Sequence, residues 1–311
     1  MAMHRALPSD HRGFAALPVQ MITVGDGAEQ MAVHVAGQLG STSTPLVCIS
    51  GYHRNMADFV EFVRMAGPML GPERPIVLVD LKGRGRSSDR WRMREYSSLN
   101  DAADLVEVMT ALALRRAVFL GQGYGGQVLM ALAARRPSLM AGAVLIDSGP
   151  VSDSRGLVRL RMALSDLTGV RGDASLRPMM RRMVMADYPE APEAMLEDLA
   201  FRTHYVDRRG RLQPLFDPAL VKLLEPIDLD DVLVAQWPLF DALTPVPLLM
   251  MRTQLTQQLR RETFEEMMRR RRDADGYIIE HQGSPALLDN IEDVQPITDF
   301  IAGLAARRQA A

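Results

Sequence analysis

Residues 116–136 have the sequence RAVFLGQGYGGQVLMALAARR, and the order of residue types in this stretch decides the fold. The apolar run that begins at Ala117 is typical of a short buried strand. A glycine-rich turn at residues 121–126 follows, and then apolar residues recur at the spacing of a helix. Arg135 and Arg136 place positive charge at the negative end of the helix dipole, and the proline after them cannot continue the helix. The stretch therefore predicts a strand, a sharp turn and a helix.

Short apolar runs on both sides of this stretch continue the pattern. They predict strands at residues 19–24, 31–35, 45–50, 75–80, 143–146, 246–251 and 277–279. Gly25, Asp26 and Gly27 predict a tight turn between the first two strands. Because helical patterns separate most of the later runs, the sequence predicts an α/β fold with a doubly wound, mostly parallel sheet.

The alternation of strands and helices stops near residue 151 and resumes near residue 236. Between these positions the pattern is helical and loop-like, without buried strands. An insertion of this length between two sheet strands predicts a helical cap over the site. The predicted organisation is a short, loose N-terminal arm at 1–18, a core made of 19–150 and 236–311, and a cap at 151–235.

The composition limits the classes of partner. In 311 residues, 36 Lys and Arg stand against 38 Asp and Glu, and the net charge of −2 predicts no general attraction to nucleic acid or anionic membranes. No apolar run approaches the length of a membrane span, and the first 18 residues lack the apolar stretch of a signal peptide. Cys48 is the only cysteine, which suits a reducing compartment, so we expect a cytoplasmic protein.

The sequence shows no pattern that indicates a cofactor. No spacing of His, Cys, Asp and Glu is typical of a metal site. The glycines within residues 82–87 lack the order of a phosphate-binding loop. We therefore predict that the protein works without a cofactor.

Several motifs, taken in order, resemble the cap-bearing esterase and lactonase branch of the α/β-hydrolase superfamily. They are CISG at 48–51 with Arg54, Asn55 and Phe59 after it, DLKGRGRS at 80–87, GQGYG at 121–125, DSGP at 147–150, FDP at 216–218 and WPLF at 237–240. The resemblance covers nearly all of residues 20–305 and implies the α/β-hydrolase fold with a helical cap insertion. In that family a G-x-S-x-G turn holds the nucleophile between the central strand and the following helix.

Three positions that are catalytic in that family carry other residues here. The resemblance puts the serine nucleophile at Gly123, the acid at Gln257, and the histidine base at Gly283, or at Ser284 if one deletion is allowed. A serine attacks because an imidazole takes its proton and a carboxylate stabilises that imidazole. None of the residues present does this chemistry. The resemblance thus implies a pseudoenzyme with a degenerate triad.

The residues around these positions suggest a binding site. By resemblance, the backbone N–H groups of Tyr52 and Tyr124 occupy the oxyanion-hole positions, which bind a carbonyl or an anion. The predicted ligand-binding residues, around an empty volume at Gly123 and Gly283, are Tyr52, His53, Gln122, Gly123, Tyr124 and Ser284. The alternative is that the two tyrosines simply fill this space. Asp147, which ends a predicted strand, is interpreted as structural.

Three functions remain open from the sequence. The first is a catalytically degenerate protein that acts by binding another protein, as an interaction or accessory subunit. The second is an ester or lactone hydrolase, or a lyase, that uses a bound water with His53 or His281. The third is a sensor that takes a small acyl or carboxylate ligand into the vacated pocket.

Overall fold

The computed structural model describes residues 11–14, 16–25, 27, 29–167 and 173–309. Residues 1–10 and 15 of the predicted arm, Asp26 of the predicted turn, residues 168–172 of the predicted cap and residues 310–311 lie outside the described residues. The described part of the arm is packed and not loose. Phe14 and Leu17 are buried, and His11 Nε2 lies 3.3 Å from the carbonyl oxygen of His204. The prediction of a loose arm is wrong for these residues, because their apolar side chains join the core.

Strands and helices alternate along the chain. Over the described residues, the strands are β1 Gln20–Val24, β2 Glu29–Ala36, β3 Leu46–Ile49, β4 Ile76–Val79, β5 Ala117–Gln122, β6 Met140–Ile146, β7 His204–Val206, β8 Leu212–Pro214, β9 Leu248–Thr253 and β10 Asp275–Ile279. The helices are α1 Val60–Leu70, α2 Ser98–Ala111, α3 Tyr124–Arg135, α4 Ser154–Asp166, α5 Asp173–Met185, α6 Glu193–Phe201, α7 Ala219–Lys222, α8 Trp237–Asp241, α9 Arg261–Arg270 and α10 Ile291–Gln309.

Eight of the strands form one sheet in the order β1-β2-β4-β3-β5-β6-β9-β10. Strand β2 pairs antiparallel with β1 and β4, and all other neighbours are parallel. The predicted doubly wound, mostly parallel sheet of the α/β-hydrolase type is confirmed. All residues of β3, β4 and β5 are buried because helices cover both faces of the sheet, which explains their nearly continuous apolar sequences.

Two layers of helices enclose the sheet. On one face, Phe62 of α1 and Ile297 of α10 belong to one buried apolar cluster. On the other face, Leu105 of α2, Leu129 of α3 and Phe240 of α8 belong to a second cluster. The central strands between these layers are therefore buried on both faces, while the edge strands β1 and β10 keep exposed residues.

The turn from β5 into α3 packs tightly against β3. A Cβ on Gly125 would lie 2.3 Å from the carbonyl oxygen of Ile49, so only glycine lets α3 approach the end of β3 this closely. Helix α3 ends with Arg135 in its last turn, and Pro137 opens a separate 3₁₀ turn. This part of the chain folds as its sequence predicts.

The segment at 151–235, which we call the cap segment, contains α4 to α7 and a short antiparallel β7–β8 hairpin. The sequence predicts the polar turn at 207–210 but not the strands beside it, because three residues are too few to show a strand pattern. The Asp207 carboxylate closes the turn by accepting the N–H groups of Arg209 and Arg211 at 2.8 and 3.0 Å. Met180 and Leu199 belong to a buried cluster that joins α5 and α6.

Hydrogen bonds join the end of the cap segment to the core. The N–H of Gly85 donates to the carbonyl of Leu215 at 2.8 Å, and the N–H of Asp217 donates to the carbonyl of Gly83 at 2.7 Å. The Tyr96 hydroxyl donates to the Asp217 carboxylate at 2.6 Å. The DLKGRGRS loop therefore pairs with the returning chain, beside the site.

Candidate functional site

Gly123 stands at the predicted nucleophile position, between β5 and α3. Its backbone angles, φ 51° and ψ −117°, lie in a region that residues with a Cβ avoid. A Cβ built there would lie 2.5 Å from Oε1 of Gln258, which is closer than real contacts allow. The sharp turn is therefore kept without a reactive side chain, and Gln258 occupies the space beside it.

Gly283, at the predicted base position, is also enclosed. A Cβ there would lie 2.4 Å from Oδ1 and 2.9 Å from Cα of Asp187 in the cap segment. The Gly283 N–H donates to the carbonyl of Asp187 at 2.5 Å. The prediction of an empty volume is wrong at Gly283, because the backbone and side chain of Asp187 fill that space. At Gly123 the close contact comes from the end of the exposed Gln258 side chain.

Both glutamines of the loop after β9, Gln257 and Gln258, are exposed, and they reach different neighbours. Gln257, at the predicted acid position, is exposed, and its Oε1 accepts a hydrogen bond from Nη1 of Arg159 on α4. The Gln258 N–H donates to Oγ1 of Thr256 at 3.1 Å, and its side chain reaches Gly123. The family motifs do not identify Gln258, because a motif gives a position along the chain and not the direction of a side chain.

A group of hydrogen-bonded side chains lies next to the predicted base position. The Asp147 carboxylate accepts the N–H and the hydroxyl of Thr253 at 2.8 and 2.7 Å. The Ser284 hydroxyl donates to the same carboxylate, and Thr256 Oγ1 lies 2.9 Å from Ser284 Oγ. Burial raises the pKa of Asp147, while the bonds from Ser284 and Thr253 oppose that rise. None of the four members carries an imidazole, so the group orders this loop without reproducing a triad.

Tyr52 and Tyr124 form a wall around the buried Arg84. Their rings meet edge to face, with 5.4 Å between centroids and 84° between planes. The guanidinium carbon of Arg84 lies 5.7 Å from the Tyr52 ring centre and 5.1 Å from the Tyr124 ring centre. The Tyr124 hydroxyl donates to Asp101 at 2.8 Å, and the Tyr52 hydroxyl donates to the carbonyl of Leu220 at 3.0 Å. These contacts favour the interpretation that the two rings fill space.

The backbone N–H groups of the same two tyrosines are the predicted oxyanion-hole donors. In the part of the chain that the structure describes, neither N–H has a hydrogen-bond acceptor. Tyr124 is the first residue of α3, where the helix dipole favours negative charge. The two donors keep the capacity to bind an oxygen atom.

Gln122, another predicted ligand residue, faces the loop after β10. It is 2% exposed, and its Nε2 donates to the carbonyl of Ala286 at 3.3 Å. Its Oε1 is buried and has no hydrogen-bond donor among the described residues. Gln122 therefore supports the same loop that carries Ser284, and it lies below the surface of the site.

The two candidate histidines have different surroundings. His53 is partly buried, its ring stands 5.4 Å from that of Phe216, and its Nδ1 has no partner in the described ranges. Burial, and then the charge of Arg54, hold the pKa of His53 well below its usual value, so the imidazole is neutral at neutral pH. His281 is 68% exposed, and its Nδ1 lies 3.5 Å from a Glu190 carboxylate oxygen. Both histidines therefore meet the cap segment, His53 at Phe216 and the exposed His281 at Glu190.

Two cavities lie outside the elbow. One, of about 550 Å³, lies between the first residues of β9 and β10 and helix α10. The other, of about 250 Å³, lies between α4 and the loop after β9. Gly123 lines neither of them. Within the described ranges, no group of three or more His, Cys, Asp or Glu side chains is placed to hold a metal ion, and no helix is long and apolar enough to cross a membrane.

Known proteins resemble this chain over part of its length. It is 29% identical over 161 residues to a protein of Caulobacter sp. (strain K31) provisionally named carbamate hydrolase RutD, which covers 49% of this chain and 58% of that protein. It is 28% identical over 134 residues to the uncharacterized hydrolase YugF of Bacillus subtilis (strain 168), 43% of this chain and 46% of that protein. The chain thus matches about half the length of these curated relatives.

Solved structures share the fold over nearly the whole chain. An alpha/beta hydrolase from Novosphingobium aromaticivorans DSM 12444 has a TM-score of 0.79 at 24% identity, covering 93% of this chain and 99% of that chain. E-2-(acetamidomethylene)succinate hydrolase has a TM-score of 0.73 at 19% identity, covering 92% and 99%. At these identities the likeness concerns the fold alone.

A family model matches most of the chain. The model described as the alpha/beta hydrolase family matches residues 46–295, from the first residue of β3 into α10. This span contains the elbow, the cap segment and both loops that face the elbow. The chain therefore belongs to the alpha/beta hydrolase family.

Proposed function

We propose that this chain is an α/β-hydrolase-fold protein without serine-hydrolase chemistry, which acts by binding another protein as an interaction or accessory subunit. One observation carries the first half of the proposal: Gln258 Oε1 occupies the space next to Gly123 where a nucleophile side chain belongs. Asp187 likewise occupies the space of the base at Gly283. At Gly283 the backbone of Asp187 would also have to move before a base could stand there, so more than the three catalytic side chains separates this chain from an active serine hydrolase.

An exposed apolar segment supports the second half. Residues 228–234, DLDDVLV, follow α7 at the end of the cap segment. Leu229, Val232 and Val234 are 52%, 97% and 81% exposed. Contiguous exposed apolar side chains mark interaction surfaces, and the three aspartates beside them favour a partner surface that is apolar with a basic rim.

The first experiment measures hydrolysis. Purified protein is assayed with p-nitrophenyl acetate and a γ-lactone beside the His53→Asn variant and a heat-inactivated sample. We expect the same rate in all three, because no nucleophile or triad base is present. A turnover that only the native protein shows would contradict the proposal.

The second experiment looks for the partner. The tagged protein is purified from its host at native levels and weighed intact by native mass spectrometry, beside a Val232→Ser, Val234→Ser double variant. We expect a stoichiometric protein partner that the double variant loses. The control is Met162→Ser, which removes another exposed apolar side chain, 57% exposed, from α4. A bare monomer in every preparation would refute a stable interaction role.

A second candidate function rests on His53. Its imidazole is neutral, and the buried Nδ1 has no partner among the described residues, which leaves a place for a bound water. The lowered pKa makes this imidazole a weak base, so any water activation by it is slow. Relatives of this chain are named as hydrolases, which agrees with this alternative. A turnover in the first experiment that His53→Asn abolishes, while the protein stays folded by circular dichroism, would favour it over binding alone.

A further inference from the structure

The smaller cavity, of about 250 Å³, has an excess of positive charge in its wall. Four arginines and two carboxylates line it, which leaves two positive charges over. The arginines are Arg159, Arg252, Arg260 and Arg261, and the carboxylates are Asp153 and Glu262. Such an excess in a concave site attracts anions.

Ion pairs show which arginines carry the excess. Arg260 donates from Nε and Nη2 to the two carboxylate oxygens of Asp153 at 2.8 and 2.7 Å. Arg261 donates to Glu265 at 3.0 Å. These two guanidiniums are therefore compensated. Arg159 and Arg252 then stand against Glu262, so one positive charge is left over when Glu265 is counted with the wall.

Arg252 is held in place by backbone carbonyls. Its Nε donates to Leu259 at 3.0 Å, and its Nη1 donates to Thr253 and Gln254 at 3.1 and 3.3 Å. Arg159 donates to the neutral amide of Gln257. In the described part of the chain neither arginine forms a salt bridge with a carboxylate. Arg252 is thus oriented before any ligand arrives, and that orientation lowers the entropic cost of binding.

A glycine brings these arginines to the same cavity. A Cβ on Gly156 would lie 2.8 Å from the carbonyl oxygen of Gln257, so α4 approaches this loop only because residue 156 has no side chain. Arg159 follows three residues later, on the same face of α4. The close approach of α4 to the loop after β9 therefore places Arg159 next to the loop whose carbonyls hold the Arg252 side chain.

We propose that this cavity binds a small oxyanion, a phosphate or a carboxylate group, between Arg159 and Arg252. The planar guanidinium matches both groups, and its bonds to them are charge-assisted. The volume is smaller than that of the usual pocket for a drug-sized molecule, so the bound part is an ion or the charged end of a metabolite. The site is independent of the proposed loss of hydrolysis, because its arginines do not touch Gly123.

Calorimetric titration of the full chain tests this site. The probes are inorganic phosphate, methyl phosphate and succinate, each at one low ionic strength. Arg159→Gln removes one charge and is expected to weaken binding about tenfold, as loss of a charge-assisted contact does. The matched control is Arg155→Gln, which makes the same change at an exposed position of the same helix outside the cavity wall. Its affinity is expected to stay within about twofold of native.

A second variant separates charge from geometry. Arg252→Lys keeps the charge but loses the planar fork, so we expect weaker binding in a protein whose circular dichroism is unchanged. Tightest binding of succinate identifies a carboxylate site, tightest binding of methyl phosphate a phosphorylated metabolite, and equal binding of both phosphates a site for the free ion. No saturable binding of any probe below about 10 mM would overturn the proposal. Equal losses in Arg155→Gln and Arg159→Gln would overturn it as well.

Discussion

Gln258 and Asp187 are the residues that contact the two glycines at the predicted nucleophile and base positions, although no motif marks either residue. Each lies against a glycine, Gly123 or Gly283, at a position where the resemblance puts a catalytic side chain. A glycine in a catalytic position normally suggests a hole. Here a new Cβ at Gly283 would meet the backbone of Asp187, and a new Cβ at Gly123 would have to displace the end of the exposed Gln258 side chain.

Substitution of Gly123 measures how firmly the site is closed. Gly123→Ser forces a Cβ into the positive-φ region and against Gln258, and we expect it to lower the free energy of unfolding by about 1–3 kcal/mol. Urea denaturation checks this. Gly210→Ser is the matched control, since Gly210 has a positive φ but nothing within 4 Å of its Cβ position.

A double-variant cycle isolates the contact with Gln258. Gly123→Ser combined with Gln258→Ala is expected to recover about 1 kcal/mol, because the side chain that opposes the new Cβ is gone. The measurement is again the free energy of unfolding in urea. Strict additivity of the two changes would show that Gln258 does not occupy this space in solution.

Asp187 gives the fold a pH dependence. Burial raises its pKa to about 6, while the N–H of Ser284 and the charge of Arg54 act in the opposite direction and Asp147 adds to the rise. The folded state therefore binds the proton more tightly than the unfolded state, whose carboxyl has the ordinary, lower pKa. The resulting stabilisation is complete below that lower pKa and is lost as the pH rises through about 6.

The variant Asp187→Asn tests this pH dependence. It removes the titrating group and keeps an oxygen that accepts a hydrogen bond. We expect the native protein to lose up to about 2 kcal/mol more than the variant between pH 4 and pH 7, measured by urea denaturation at each pH. Tyr188 and Arg54 also face this carboxylate and stay unchanged in both proteins. Parallel stability curves would exclude Asp187 as the titrating group.

At the level of single elements, the sequence predicts the strands of the large sheet better than it predicts the β7–β8 hairpin and the loop after β9. Strands such as Ile76–Val79 are continuous apolar runs because both faces are covered, so their burial is visible in the residues themselves. The three-residue strands of the β7–β8 hairpin have no such signal and depend on each other for their hydrogen bonds. Similarly, the family motif identifies position 257 but not the contact of Gln258 with Gly123, because that contact depends on a turn in which the Gln258 N–H donates to Thr256.

At the end of α9, the burial of one residue is not visible in the sequence. The run Arg269 to Arg272 suggests a solvated helix end, and Arg269 and Arg270 do pair with Glu266 at 2.9 and 3.0 Å. Arg271, however, is 4% exposed and donates to the carbonyls of Leu243 and Val246, both at 2.8 Å. One of the four consecutive arginines is therefore buried, and nothing in the run distinguishes it from its neighbours.

Replacement of Arg271 by alanine tests that burial. It leaves two buried carbonyls without donors, so we expect a loss of about 2–4 kcal/mol in the free energy of unfolding. The neighbouring Arg272 is exposed, and Arg272→Ala is expected to change the same quantity by less than about 0.5 kcal/mol. Chemical denaturation of both variants decides, and equal effects would place Arg271 in solvent.

At the scale of the whole molecule, the cap segment is joined to the core near the site. The Tyr96 hydroxyl bonds to Asp217, and the Tyr188 hydroxyl bonds to the carbonyl of Pro285 in the loop that carries Ser284. Backbone bonds from Gly85 and Asp217 add to these. The contacts lie on two sides of the elbow, so the cap segment and the core hold the site between them.

Tyr96→Phe tests how much one of these contacts contributes. Loss of the hydroxyl leaves the Asp217 carboxylate with the Ala219 N–H as its remaining donor in the described part of the chain, so we expect faster amide hydrogen exchange at residues 215–217 and about 1 kcal/mol less stability. The matched control is Tyr205→Phe, because the Tyr205 hydroxyl has no hydrogen bond in the described part of the chain. Unchanged exchange in Tyr96→Phe would show that the backbone bonds hold this junction alone.

The glycine at the elbow also determines how the protein behaves in surveys of whole proteomes. Fluorophosphonate reagents report serine hydrolases by forming a covalent bond with the activated serine at the elbow, and Gly123 offers no oxygen to accept the label. Genome counts based on the family pattern will nevertheless include this chain among the hydrolases. Chains that the family pattern counts and the reagent leaves unlabelled are those with the fold and without a reactive serine at the elbow.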